Sequence, residues 1–71
     1  MISMKEIYTG VADGSISIWA TGTNEEGETI IINGIDPDNG ELSIDTIQNN
    51  GWVRTNYYNK YGSCVGETYS K

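Results

Sequence analysis

Histidine is absent from this 71-residue chain. That absence removes Ser-His and Cys-His nucleophile pairs, two-histidine metal motifs and the commonest general base. Cysteine occurs once, at Cys64, so no internal disulfide can form and the usual staple of small secreted scaffolds is missing. A lone thiol of this kind is expected as a small buried apolar side chain, and the lack of a disulfide points to a cytoplasmic protein. No apolar run approaches the roughly 18 residues of a membrane span. The segment "MISMKEIYTG" has no charged stretch leading into an apolar one, so neither export nor membrane insertion is expected.

Basic residues are scarce as well. There are four Lys and Arg against ten Asp and Glu, a net charge of −6, and no basic residue stands between Lys5 and Arg54. Neutralising a nucleic-acid backbone takes several clustered cations, so direct nucleic-acid binding is not expected. A basic protein is the natural complement of such a field.

Cofactor and metal signatures fail on spacing. "DPDNGE" gathers Asp36, Asp38, Asn39 and Glu41 around a glycine, but counting from Asp36 puts Gly40 at position 5 and Ile47 at position 12. A calcium loop of the EF-hand kind needs glycine at 6 and a bidentate Glu at 12. No glycine run precedes a helix carrying Lys and Ser/Thr, so no phosphate cradle is present. Ten acids supply carboxylate pairs at glycosidase distances by chance alone. A chain this short also buries only about 60% of its unfolded surface, leaving little core to support a catalytic cavity. The expectation is a non-enzymatic protein with no cofactor and no metal.

What is present reads as β structure in a single small domain, residues 1–71. "SISIWA" (15–20) alternates strictly, "KEIYTGV" puts Ile7, Thr9 and Val11 on one side, and Asp13-Gly14 between them suits a type I′ turn. Residues 5–20 are therefore predicted to form a β-hairpin. "TIIIN" (29–33), with three successive Ile residues, is predicted as the central strand. Pro37 and Asn39-Gly40 mark a turn, and Leu42–Ile44 a short strand. Asp45 followed by Gln48, with Gly51 beyond, gives a capping-box pattern and predicts at most one short helical turn near residues 45–50. "WVRTNYYN" is a further strand, and the last runs from about Ser63 to Tyr69, in a register that puts Arg54 opposite Glu67. The fold class is mainly β: an antiparallel meandering sheet of five or six short strands, curled into a small open barrel.

Two kinds of surface stand out on that sheet. Alternate turns of a meander share an end, so Asp13, Asp36, Asp38 and Glu41 are expected at one acidic pole and Glu25, Glu26 and Glu28 at the other. On the strand from Trp52 to Asn59, Val53, Thr55 and Tyr57 face one way, while Trp52, Arg54, Asn56 and Tyr58 face the other. Arg and Tyr are enriched at interface hot spots, which makes Arg54, Tyr58 and the turn residue Tyr61 contact candidates. With no Phe in the chain, Trp19 and Trp52 are expected in the core. The predicted partner-binding set is Arg54, Tyr58, Tyr61, Asp36, Asp38, Glu41, Glu25 and Glu26.

By size, acidity and lack of catalytic groups, the chain resembles the small proteins with which phages and other mobile elements block host machinery, anti-CRISPR inhibitors among them. The resemblance is one of type, carried by no motif. It implies an acidic inhibitor or adaptor binding a basic partner protein, such as a nucleic-acid-binding complex. A small-ligand or nucleotide-binding module using the aromatic face, and a structural protein self-associating through a strand edge, are the alternatives. The oligomeric state, monomer or dimer, stays open at this level.

Overall fold

The computed structural model describes residues 3–71. One helix, α1 (Met4–Asp13), precedes five strands: β1 (Thr21–Thr23), β2 (Thr29–Ile35), β3 (Leu42–Ile47), β4 (Val53–Tyr58) and β5 (Cys64–Ser70). The strands form one antiparallel sheet in the order β1-β2-β3-β4-β5. The mainly-β meander expected from sequence is therefore present. The sheet does not close into a barrel, and β1 and β5 are its two edges.

The N-terminal hairpin predicted over residues 5–20 is a helix instead. Ser3 caps it: its hydroxyl accepts the Glu6 N–H at 3.2 Å, and the Glu6 carboxylate accepts the Ser3 N–H at 3.1 Å. This reciprocal box satisfies two otherwise orphaned donors. Met4, Ile7, Tyr8 and Val11 recur at helical spacing. Gly14, at φ +84°, ends the helix in the left-handed conformation that caps favour. The Asp13-Gly14 pair thus terminates a helix rather than turning a hairpin, and no sheet turn carries Asp13 to a pole. "SISIWA" forms no strand, and its alternating Ile residues part ways. Ile16 lies against Gly10 and donates its N–H to the Gly10 carbonyl, while Ile18 is exposed.

Register assigns the faces, since residues opposite one another in a ladder project to the same side. Ile30, Ile32 and Ile35 of β2 lie beside Thr46, Ile44 and Leu42 of β3, which lie beside Arg54, Asn56 and Tyr58 of β4. Along β3 burial alternates, with Leu42, Ile44 and Thr46 buried and Ser43 and Asp45 half-buried. The core is the β2–β3 half of this face, with α1 packed against β2. Tyr8 of α1 donates its hydroxyl to the Gly40 carbonyl at 2.5 Å. The β4–β5 half of the face is open. The central strand is β3, not residues 29–33, because residues 5–20 supply no strands and only β1 lies on the far side of β2.

The helical turn predicted near 45–50 is also absent. β3 continues to Ile47, with Asp45 opposite Thr55 and accepting its hydroxyl at 2.6 Å. Pairing on both sides of β3 outweighs an isolated helical turn, which carries an unfavourable nucleation step. The β4–β5 register differs from expectation by two residues: Arg54 stands opposite Tyr69 and Asn56 opposite Glu67, with an irregularity between Tyr57 and Tyr58. The three-residue loop closed by the Asn59 N–H to Ser63 carbonyl bond supplies one residue of that shift, and the bulge beside it supplies the other.

Candidate functional site

The meander brings the predicted contact residues into two groups. At one end, the β1–β2 turn carries Glu25 and Glu26, and a shallow cleft of about 290 Å³ separates it from Arg54. At the other end, the β2–β3 turn carries Asp36, Asp38 and Glu41, and the neighbouring β4–β5 turn carries Tyr61. Tyr58 lies near this second group, opposite Leu42. A larger concavity of about 660 Å³ runs along α1 past Lys5, Thr9, Gly10 and Ile16, and none of the predicted set lines it.

Side chains near Arg54 satisfy one another. Its Nε donates to Asn56 Oδ1 at 3.1 Å, Asn56 Nδ2 donates to Glu67 Oε1 at 3.1 Å, and Arg54 Nε lies 3.9 Å from that same carboxylate oxygen. Burial pushes the Tyr58 hydroxyl above the usual phenol range; the neighbouring Cys64 and Glu67 act the same way, and Arg54 opposes them. Arg54 is thereby an organiser of its own strand pair. Among the described residues the Arg54–Glu67 contact is the one ion pair, so Glu25, Glu26, Asp36, Asp38 and Glu41 have no cationic partner. Their loops use the acids locally as well: Asp36 Oδ1 accepts the Asp38 N–H at 2.8 Å, the ordinary chemistry of an Asx turn.

Glu28 departs from its expected place on an acidic pole. Its side chain is buried, 7% exposed. One carboxylate oxygen accepts Asn24 Nδ2 and the other the Asn49 N–H, each at 3.1 Å. The group therefore ties the β1–β2 turn to the β3–β4 turn. The Asn24 side-chain bond, then the Asn49 backbone bond, hold its carboxyl below the usual range. A depressed carboxylate contributes stability that is present above its unfolded pKa of about 4.3 and is lost as pH falls through the folded value. Glu28→Gln should therefore be less stable than the parent near pH 7, with the gap in melting temperature closing below about pH 4. Thermal melts of both proteins across this range check it, and parallel curves would refute the role.

Both indoles and the thiol lie outside the core that sequence reasoning assigned to them. Trp52 is 39% exposed, with Lys71 Nζ 5.7 Å from its ring centroid. Cys64 is exposed at the start of the edge strand β5. Trp19 is 72% exposed, and beside it Ile18 is 52% exposed. The core is too thin to enclose them: among the described residues only Leu42 and Ile44 are buried apolar side chains.

Trp19 is also the one positive-φ residue other than glycine among the described residues, at φ +63°. Its N–H donates to the Ile32 carbonyl at 2.5 Å, while the Ile32 N–H donates to the Ala20 carbonyl at 3.0 Å. Trp19 and Ala20 together oppose Ile32, which is a bulge of the kind whose first residue is ordinarily glycine. The left-handed region costs a non-glycine residue roughly 1–2 kcal/mol, and an exposed ring recovers little of that within the chain. Sequence reasoning missed this site because the alternation of "SISIWA" read as a hairpin strand, and with no Phe in the chain Trp19 was assigned to the core.

No group of three or more His, Cys, Asp or Glu able to hold a metal ion occurs among the described residues. No helix among them is long and apolar enough to cross a membrane. Compared with known proteins, the chain matches no family, no curated protein and no solved structure.

Proposed function

We propose that the chain is a non-enzymatic protein-binding module of the cytoplasm, an acidic inhibitor or adaptor that docks on a basic, nucleic-acid-handling protein. The observation that carries this reading is Trp19, a large apolar side chain presented to solvent from a backbone position where glycine would be more stable. Strain held at a site with no internal benefit argues for a role outside the fold. Tryptophan is the residue type most enriched among interface hot spots. The sign of the partner follows from charge: Glu25 and Glu26 follow β1 on the same edge of the sheet as Trp19, and Asp36, Asp38 and Glu41 occupy the opposite end, all without a cationic partner. Such a field speeds encounter with a basic surface and weakens with salt.

The variant Trp19→Gly separates the contact from the fold. Relief of the left-handed strain offsets the small packing loss, so stability should stay within about 1 kcal/mol of the parent or rise. Capture of a basic protein by the tagged chain at low salt should fall about tenfold or more in this variant, the effect of losing a hot-spot side chain. It should also decline for the parent as salt is raised. Capture that is indifferent to both the substitution and ionic strength would overturn the reading.

A further inference from the structure

The two edges of the sheet differ in a way that bears on self-assembly. β1 is three residues long and is preceded by the Trp19 bulge, and shortness and bulges are devices that blunt an edge against strand addition. β5 is seven residues long, contains no proline, and is exposed along nearly its whole length. Outside the β4 ladder, no backbone hydrogen bond among the described residues engages residues 64–71. Its outward N–H and C=O groups are thus open from Glu67 onward, and the Cys64 thiol touches the Gly66 carbonyl just before that point.

Charge selects both the occupant and the register. Glu67 and Tyr69 lie on one side of β5, with Thr68 and Ser70 on the other, and Lys71, one residue past the strand, continues the Glu67–Tyr69 side, with its Nζ over the Trp52 ring. In a two-fold antiparallel pairing of β5 with its own copy, each register is named by the residue that meets itself. Centring on Glu67 would set two carboxylates face to face, which is destabilising. Centring on Thr68 leaves Glu67 opposite tyrosine and Lys71 opposite Val65. Centring on Tyr69 sets Glu67 of each copy against Lys71 of the other, twice by symmetry, with Tyr69 against Tyr69 between them and Thr68 against Ser70 on the far side. Opposite charges, aromatic pairs and hydroxyl pairs are the cross-strand combinations that stabilise a ladder. Tyr69 is 54% exposed and free to take part.

We propose that β5 is a self-association edge, at which two copies of the chain join antiparallel about a two-fold axis through Tyr69 to form one continuous ten-stranded sheet. The contact is small, so the dimer is a weak one. It occupies the edge opposite β1 and does not depend on the reading of the acidic ends. Sedimentation of the purified chain alone tests it, from about 10 μM to about 1 mM, a span suited to weak affinities. The parent should pass from monomer to dimer over this range. Glu67→Lys and Lys71→Glu should each weaken the dimer about tenfold or more, since each replaces two attractive pairs by two repulsive ones. An equimolar mixture of the two variants should recover association as a heterodimer, because all four charges then pair. Recovery on mixing also shows that both variants are folded, and Lys71→Glu leaves the Arg54–Glu67 contact intact. A parent that stays monomeric throughout, or a mixture no tighter than its components, would overturn the proposal.

Discussion

Leu42→Ala is expected to cost about 3–4 kcal/mol and to lower the melting temperature by roughly 12–32 °C, more than any other truncation in the sheet. Among the described residues Leu42 is the single side chain with no exposure at all. It stands on β3 between Ile35 of β2 and Tyr58 of β4, close to the turn where Tyr8 of α1 reaches the Gly40 carbonyl. The side chain is therefore flanked by both neighbouring strands, two residues beyond the point where α1 is tied to the β2–β3 turn. A chain of this length has roughly 4–10 kcal/mol of total stability, so the loss removes a third of it or more. The surface agrees with so small a core, at 4723 Å² where a chain of this mass typically exposes about 4,400 Å². Urea denaturation checks the prediction, with a midpoint lowered by about 1–4 M at the usual slope for small domains. A shift below about 0.5 M would place the core elsewhere.

The sheet half of the molecule was legible because its signals are local. The β-branched run at Thr29–Ile32, the Pro37 and Asn39-Gly40 turn, and the alternation through Arg54, Asn56 and Tyr58 all name strands and connections that exist. The acidic loops were legible for the same reason, since a turn keeps its side chains at the surface whatever packs nearby. The N-terminal quarter was not, because it satisfies two periods at once. Ile7, Thr9 and Val11 fit a strand, while Met4, Ile7, Tyr8 and Val11 fit a helix, and Asp13-Gly14 serves a hairpin turn or a helix end equally well. The Ser3–Glu6 box was the deciding local feature. Trp19 and Trp52 illustrate a different limit. Their exposure depends on where α1 lies and how far it reaches over the sheet, which no short window of residues records. The same tertiary dependence governs Glu28, whose charge looked like part of a pole and whose buried carboxylate instead joins two turns.

Gly62→Ala is expected to destabilise the protein by about 2–4 kcal/mol, and comparison with Gly51→Ala divides that loss into its causes. Both glycines close a turn with positive φ, +86° at Gly62 and +89° at Gly51, and each donates its N–H three residues back, to Asn59 and Gln48 respectively. An alanine in that conformation costs roughly 1 kcal/mol at either site. The surroundings differ. A Cβ at Gly51 would meet nothing within 4 Å, whereas one at Gly62 would lie 2.6 Å from the Lys5 backbone nitrogen and 3.1 Å from its Cα. Backbone cannot swing aside as a flexible side chain can, so α1 must lift from the β4–β5 turn. That displacement pulls on Tyr8 and its bond to Gly40. Gly51→Ala should therefore shift the melting temperature by roughly 4–8 °C and Gly62→Ala by at least twice that, with increased amide exchange in α1 for Gly62→Ala alone. Equal shifts for the two variants would mean that α1 is not seated against the β4–β5 turn through Lys5.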